Sequence, residues 1–159
     1  MPYNGDPSLV TVKGEAARAL DLVRERGIPV GVISNQSGVG RGLITAAQVT
    51  AVNARVAELL GPFDVWCWCP HVSDDGCECR KPQPGMLLAA AGELGVDVTE
   101  TVMIGDIAAD MAAAKAAGAR GILVPTARTL NPEIAAAAEV ASDLVEAVEM
   151  ALTPERRAG

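Results

Sequence analysis

The chain has 159 residues, of which 50% are hydrophobic and 3% aromatic, and its formal net charge is -7. That length suits one domain with an aliphatic core, and the negative charge without a long basic run disfavours nucleic acid as a partner. No apolar stretch reaches the roughly 20 residues of a membrane span, and the first ten residues lack the pattern of a secretory signal, so we expect a cytoplasmic protein that binds no membrane.

Apolar periodicity along the chain predicts four strands that alternate with helices. The helix that begins at residue 46 is preceded by Thr45, which has the spacing of a capping box with Gln48. The strands are short apolar runs, as expected for strands buried on both faces of a sheet. The predicted strands cover residues 28–34, 63–69, 101–106 and 121–125, and the predicted helices cover residues 14–26, 46–60, 86–94, 108–117, 132–138 and 142–152.

This alternation predicts an α/β fold with a Rossmann-like parallel sheet covered by helices. No linker rich in proline, glycine or serine divides the chain, so we expect a single domain over residues 1–152. Residues 153–159 are predicted to form a solvated tail. Because the sequence has no heptad repeat, a monomer is the expected state.

The residues that follow each predicted strand are candidates for ligand binding, because ligands of open parallel α/β sheets bind at the carboxyl ends of the strands. Ser34 and Asn35 follow the first strand and precede glycines whose N–H groups could approach an anion. An ordinary loop of the same composition is the alternative explanation.

Two carboxylates follow the third strand. Asp106 stands at the strand end and Asp110 four residues later, so the two side chains would share one helix face. Such a pair suits a hard cation such as Mg²⁺. An aspartate that caps the amino end of the helix is the alternative explanation of the same pattern.

All four cysteines and the only histidine lie between residues 67 and 79. Cys69, His71, Cys77 and Cys79 are four ligands of the kind that hold Zn²⁺ in a closed, structural site. Cys67 could replace His71 in an all-cysteine site, but we favour Cys67 as a buried core thiol. A Cys-x-Cys redox pair is a further alternative, although clustered cysteines in a reducing compartment are more often metal ligands.

Three segments carry a resemblance to a known family. "VISNQSGVGRG", "CPH" followed by "CECRKPQPGM", and "MIGDIAADM" resemble motifs of the haloacid dehalogenase-like (HAD-like) phosphatases. Within that family they resemble the branch of the D-glycero-D-manno-heptose 1,7-bisphosphate 7-phosphatases and histidinol-phosphatases. Each segment alone is weak, whereas the three in this order are specific. The resemblance implies a HAD-like fold with a zinc-binding loop over residues 67–81 and no cap domain.

The resemblance also implies roles for individual residues. Ser34, with Asn35 beside it, would bind the transferring phosphoryl group. Arg80 and Lys81 would hold the substrate phosphate, and Lys81 would also screen charge next to the nucleophile. Phosphoryl transfer asks a protein mainly for positioning and for positive charge around the phosphoryl oxygens, which explains why these residue types are wanted.

The metal ligands follow from the same resemblance. Asp106 would bind Mg²⁺, with Asp110 as its acidic companion. The reaction would pass through an aspartyl-phosphate formed on a carboxylate nucleophile. The structural Zn²⁺ would be held by Cys69, His71, Cys77 and Cys79.

The first motif of the family, an apolar strand ending in Asp-x-Asp-Gly-Thr, is absent from the 159 residues. That motif supplies the nucleophile and the general acid, so we expect negligible turnover by the chain as printed. A truncated sequence is our favoured explanation, and an inactive binding protein or completion by a partner's strand are the alternatives. The missing strand is central in the family, so the strands at 28–34 and 101–106 would face a gap with unpaired N–H and C=O groups.

The resulting hypothesis is a Mg²⁺-dependent phosphatase whose substrate is a small phosphorylated sugar, the 7-phosphate of D-glycero-D-manno-heptose 1,7-bisphosphate. Histidinol phosphate, a phosphorylated amino alcohol, is the rival substrate. A zinc-stabilised module that binds phosphorylated ligands without hydrolysing them is the alternative from another functional class.

Overall fold

The computed structural model describes residues 3–154, and residues 155–159 of the predicted tail lie outside the described residues. Strands and helices alternate along the described chain. The strands are β1 (Gly31–Asn35), β2 (Val65–Cys69), β3 (Val102–Gly105) and β4 (Arg120–Leu123). The helices are α1 (Gly14–Glu25), α2 (Ser37–Gly40), α3 (Ala46–Leu60), α4 (Gly85–Leu94), α5 (Ala108–Ala117), α6 (Asn131–Ala136) and α7 (Leu144–Leu152).

Local sequence signals account for most element boundaries. The side chain of Thr45 accepts a hydrogen bond from the Gln48 N–H and Gln48 reciprocates, which confirms the predicted capping box at the start of α3. The predicted first strand begins too early, because the Ile28 N–H bonds back to the carboxyl end of α1 and Pro29 has no N–H to offer a ladder. The short helix α2 lies in a segment that the sequence predicts as a loop.

The strands form two parallel pairs instead of one continuous sheet. β1 pairs with β2, with Ile33 opposite Cys67, and β3 pairs with β4, with Ile104 opposite Ile122. Within residues 3–154, no ladder joins β1 to β3. The parallel α/β arrangement is therefore as predicted, and the two strands expected to flank a gap are unpaired with each other.

The backbone hydrogen bonds between paired strands show which residues face the open edges of β1 and β3. The Val30 carbonyl oxygen accepts a hydrogen bond from the N–H of Asp64, just before β2, so the even-numbered residues of β1 bond to β2. Because backbone groups alternate in direction along a strand, the N–H and C=O of Ile33 point away from β2. Thr101 and Gly105 both accept from the β4 chain, so Ile104 faces the open edge of β3. Two free strand edges therefore lie on the sides of β1 and β3 that their pairing partners do not cover.

Helices pack on both strand pairs, and they cover both faces of the β3–β4 pair. α4 packs on β1 and β2, α5 packs on β3 and β4, and the two helices contact each other. On the other face α7 packs on β3 and β4 and contacts α1. Because side chains alternate along a strand, Met103 enters the cluster beneath α4 and α5, whereas Ile104 packs against the cluster formed with α7. None of the helices within the described residues has the length and apolar character to cross a membrane.

Candidate functional site

The amine of Lys81 lies between the two strand pairs. Its Nζ is 2.5 Å from Asp110 Oδ1 at the start of α5, and 3.5 Å from the Ile33 carbonyl oxygen on the open edge of β1. Lys81 and Asp110 are only 9% and 3% exposed. Charged groups this buried are retained when they are paired and hydrogen bonded. One of the three N–H bonds of the amine is left for another acceptor.

The backbone of Lys81 is held by the side chain of Asn35, the last residue of β1. Asn35 Nδ2 donates to the Lys81 carbonyl oxygen at 3.1 Å, and the Lys81 N–H donates to Asn35 Oδ1 at 3.0 Å. A side chain with a donor and an acceptor side by side can pair with a peptide group in this way. The structure thus brings together two residues that lie 46 positions apart in the sequence.

Asp110 caps the amino end of α5 as well as pairing with Lys81. Its Oδ2 accepts from the N–H groups of Asp106 and Ile107 at 3.0 and 3.2 Å. Gly105 makes room for this carboxylate, since a Cβ at that position would overlap the Asp110 side chain. Both carboxylate oxygens accept hydrogen bonds inside the protein, as the helix-cap explanation of Asp110 expects, and its role as the acidic companion of Asp106 at Mg²⁺ stays a prediction.

Asp106 is tied to the loop that follows β4. Thr126 Oγ1 donates to Asp106 Oδ2 at 3.2 Å, and Thr129 Oγ1 donates to the Asp106 carbonyl oxygen at 2.6 Å. A cavity of about 240 Å³ opens beside Asp106, with Ile104 on one wall and Lys13 at the start of α1 on another. The open edge of β3 therefore leads into a space lined by two carboxylates, those of Asp106 and Glu15, and by Lys13.

The side chains of Ser34, on β1, and Arg80, in the loop after β2, form hydrogen bonds with residues close to them in the chain. Ser34 Oγ accepts from Gln36 Nε2 at 2.7 Å. Arg80 donates through its guanidinium to the His71 carbonyl oxygen at 3.3 Å, and its backbone N–H points to Cys77 Sγ at 3.4 Å. Their predicted contacts with a substrate phosphate stay predictions, and both residues lie next to Asn35 or Lys81 in the chain.

The four predicted zinc ligands come together in space. The ligand atoms of Cys69, His71, Cys77 and Cys79 all lie within 4.8 Å of one another. The Cys69 Sγ is 3.3 Å from His71 Nδ1, 3.7 Å from Cys77 Sγ and 2.8 Å from Cys79 Sγ. At a Zn–S distance of about 2.3 Å, tetrahedral ligands lie about 3.8 Å apart, so this donor set fits Zn²⁺ after the closest pair opens by about 1 Å.

The thiols of this cluster perturb one another. Burial raises the pKa of Cys79 to about 12, and the neighbouring thiols of Cys69 and Cys77 add to that rise. Burial also acts to raise the pKa of Cys77, but hydrogen bonds from the Arg80 N–H and from the neighbouring thiols outweigh it and lower that pKa to about 7. Thiols ligate as thiolates, so a bound cation would let the whole cluster ionise together.

Sequence reasoning missed the residues contributed by the loop after β4 and by α6. Thr126 and Thr129 orient Asp106, and Glu133 accepts hydrogen bonds from the N–H groups of Ala108 at 2.8 Å and Leu130 at 2.7 Å. These bonds hold the pKa of the Glu133 carboxyl below its ordinary value. The available signal was positional, because the loop after the fourth strand also lies at a carboxyl end.

Comparison with known proteins identifies relatives of this chain. The HAD-hydrolase-like family model matches residues 78–148. A Pseudomonas aeruginosa protein named D-glycero-beta-D-manno-heptose-1,7-bisphosphate 7-phosphatase is 39% identical over 114 residues, which are 69% of this chain and 64% of that protein. A Mesorhizobium japonicum protein of the same name is 36% identical over 145 residues, which are 84% of this chain and 67% of that protein.

A solved structure extends the similarity to the fold. The D,D-heptose 1,7-bisphosphate phosphatase from B. bronchiseptica, complexed with magnesium and phosphate, has a TM-score of 0.82 and 30% identity, covering 95% of this chain and 89% of that chain. The chain spans 61% to 65% of the length of the four relatives from Pseudomonas and Neisseria species. With this sequence identity, coverage and shared α/β architecture, the chain belongs to the HAD-like hydrolase family.

Proposed function

We propose that this chain forms the phosphate-binding and Mg²⁺-binding part of a phosphatase that hydrolyses a sugar phosphate monoester. The proposed substrate is D-glycero-D-manno-heptose 1,7-bisphosphate, cleaved at the 7-phosphate. The relatives that share this name support the substrate, and the magnesium and phosphate in the B. bronchiseptica structure support the two ligands.

The buried amine of Lys81 is the observation that carries the proposal. It lies at the open edge of β1, and its two acceptors, Asp110 and the Ile33 carbonyl oxygen, leave one N–H for an anion. Asp106 stands at the end of β3, beside the cavity that also contains Lys13. A cationic donor and a carboxylate that can hold a hard cation are the two parts that phosphoryl transfer needs around the phosphoryl oxygens.

The chain supplies binding and orientation, whereas the nucleophile is not assigned to any of its residues. Lys81 would neutralise a phosphoryl oxygen, Ser34 would donate to another, and Asp106, oriented by Thr126, would hold Mg²⁺, which supplies further positive charge when bound. The 159 residues contain no Asp-x-Asp sequence. We therefore propose that a segment with that motif must accompany this chain for an aspartyl-phosphate to form.

We also propose that Cys69, His71, Cys77 and Cys79 hold a structural Zn²⁺. Four protein ligands complete a tetrahedral site, so the ion would take no part in the reaction. Cys79 is followed directly by Arg80 and Lys81, so a fixed cluster would hold these two residues at the carboxyl end of β1. The other parts of the proposal are a monomer in the cytoplasm, where a reducing environment keeps the cysteines available as ligands.

The test compares two forms of the protein. One is the chain as printed, and the other carries at its amino terminus an apolar strand ending in Asp-x-Asp-Gly-Thr. We expect the extended form to release phosphate from heptose 1,7-bisphosphate in the presence of Mg²⁺ and the printed form to show negligible turnover. An extension with Asn-x-Asn is the matched control. Histidinol phosphate, assayed alongside, decides between the two substrates.

Two results would overturn the proposal. A folded extended form that hydrolyses no phosphomonoester refutes the phosphatase assignment, and Mg²⁺-dependent turnover by the printed chain refutes the missing nucleophile. Because the 159 residues contain no Asp-x-Asp sequence, the second candidate function is that of a module that binds phosphorylated ligands without hydrolysing them. Calorimetry supports that function if the printed chain binds a sugar phosphate and the extended form binds it equally well without hydrolysis.

A further inference from the structure

Asn35 makes an unusual connection for a residue at the end of a strand. Both the oxygen and the nitrogen of its side-chain amide are bonded to the backbone of Lys81, at 3.0 and 3.1 Å. These two bonds use one of its two amide protons, so a single amide proton is left to donate to an anion. The hydrogen bonds of this side chain therefore go mainly to the Lys81 backbone.

Lys81 is held at both ends. Asn35 holds its peptide group, and Asp110 and the Ile33 carbonyl hold its amine. A lysine side chain has four rotatable bonds, so a fixed amine normally requires a fixed backbone as well as a partner for the charge. Ile33 and Asn35 both belong to β1, which means that one rigid strand contacts both ends of the lysine.

We propose that Asn35 is a positioning residue that acts on the substrate phosphate through Lys81. This inference rests on the proposed function, in which the Lys81 amine contacts a phosphoryl oxygen. The resemblance to the family implies only that Asn35 lies beside the phosphoryl group. The structure adds a physical route, because loss of the two backbone bonds would let the loop and its amine move away from β1.

The test is a double-mutant cycle on the affinity for inorganic phosphate, measured by calorimetry with Mg²⁺ present. Asn35→Ala should weaken phosphate binding about 10-fold in the native background, on the scale of one or two lost hydrogen bonds. In the Lys81→Met background the same substitution should change the affinity by less than about 2-fold, because residues that act through one another are not additive. Asn53→Ala, on α3, is the matched control and should leave the affinity unchanged.

A second measurement does not depend on ligand binding or on the Lys81→Met protein folding. Hydrogen exchange of the Lys81 amide should accelerate at least about 10-fold in Asn35→Ala, because its acceptor is removed. Exchange in the core of α3 should stay the same, which separates loss of the contact from general unfolding. The Asn53→Ala control should leave the Lys81 amide unchanged.

The outcomes separate the inference from the proposed function. Equal losses of affinity in the two backgrounds would show that Asn35 contacts the anion directly, which overturns the inference. Unchanged exchange of the Lys81 amide in Asn35→Ala would overturn it as well. If the native chain fails to bind phosphate, the phosphate-binding function is refuted, while the exchange experiment still decides whether Asn35 holds Lys81.

Discussion

Asp110 shows how one carboxylate can serve three bonds. It pairs with the Lys81 amine through one oxygen and accepts from the Asp106 and Ile107 N–H groups through the other. The residue is 3% exposed, so replacement of its charge leaves a buried amine without a counter-charge. The Lys81–Asp110 ion pair therefore contributes both to the stability of the fold and to the position of the Lys81 amine.

We expect Asp110→Asn to lower the free energy of unfolding by about 3 kcal/mol, because the Lys81 ammonium loses its buried partner. Urea unfolding followed by circular dichroism measures the change. Asp21→Asn, on the exposed side of α1, is the matched control and should shift the free energy by less than about 0.5 kcal/mol. Equal effects of the two substitutions would contradict the importance of the buried pair.

A second ion pair fastens the segment after α6 to β4. Arg120 donates two hydrogen bonds to the Glu139 carboxylate, both at 2.6 Å, and Leu123 bonds through its backbone to residues 139 and 141. The hydrogen bonds and charge of Arg120 hold the pKa of Glu139 below its ordinary value of 4.5, although partial burial opposes them. The pair therefore stabilises the fold while Glu139 is ionised.

We expect Glu139→Gln to lower the free energy of unfolding at pH 7 by about 1–2 kcal/mol, the scale of a charged hydrogen-bonded pair. Because the folded-state pKa is depressed, the contribution is fully present above pH 4.5 and is lost as the pH falls through the lower folded-state pKa. Urea titrations across that pH range should show the two proteins converge in acid. A constant difference between them at every pH would be inconsistent with this origin, and Glu25→Gln is the exposed control.

At the scale of elements, the loop between β2 and α4 has little apolar material of its own. Its order depends on the cysteine and histidine cluster, on a short 3-10 helix at Ser73–Asp75 and on the bonds of Asn35 to Lys81. A tight approach of Gly85 to the Glu78 backbone, where a Cβ would overlap the carbonyl, joins the start of α4 to the same loop. The loop that carries Lys81 is thus fixed mainly by polar contacts and by the cluster of cysteine and histidine side chains.

We expect about one Zn²⁺ per chain by atomic emission, and removal of the ion with a chelator should lower the midpoint of thermal unfolding. Cys79→Ser should abolish the bound zinc, because it removes one of the four clustered ligands. Cys67→Ser is the matched control and should retain it, since Cys67 is not among the four clustered ligands. Loss of zinc in Cys67→Ser with retention in Cys79→Ser would reverse the ligand assignment.

The whole molecule is built from two strand pairs that the Lys81 amine links. Because alternate residues bond to the paired strand, the backbone groups of Ile33 face one open edge and those of Ile104 face the other. Their side chains are nevertheless packed in the clusters beneath α4 and α5 and beside α7, which hold the pairs in place. An open strand edge exposes unpaired N–H and C=O groups, and folded proteins normally cover such edges.

We expect amide hydrogen exchange to alternate along β1 and β3. The N–H groups of Ile33 and Ile104 should exchange faster than those of Val32 and Met103, whose ladders are complete. Mass spectrometry with single-residue resolution, or two-dimensional NMR, measures the rates. Equal protection of neighbouring residues would mean that the open edges are covered in solution, and an extension that adds a strand should remove the alternation.

Much of the fold follows from local patterns in the sequence. The capping pair at Thr45 and Gln48 and the helical period of α5 place those helices, since both signals act within one or two turns. The spacing of the cysteines and histidine identified a cluster that the structure brings together. The start of β1 was predicted three residues too early, because the bond of Ile28 back to α1 depends on how the helix ends.

The sequence by itself determined the α/β class, the family resemblance and the candidate residues, because these depend on residue types and on periods along the chain. Only the tertiary structure decided that Asp110 pairs with Lys81, that Asn35 holds the Lys81 backbone and that Thr126 orients Asp106. Each of these contacts joins residues from different elements. Their pairing depends on which strand edge faces which loop, and that geometry is a property of the packed molecule that no local pattern encodes.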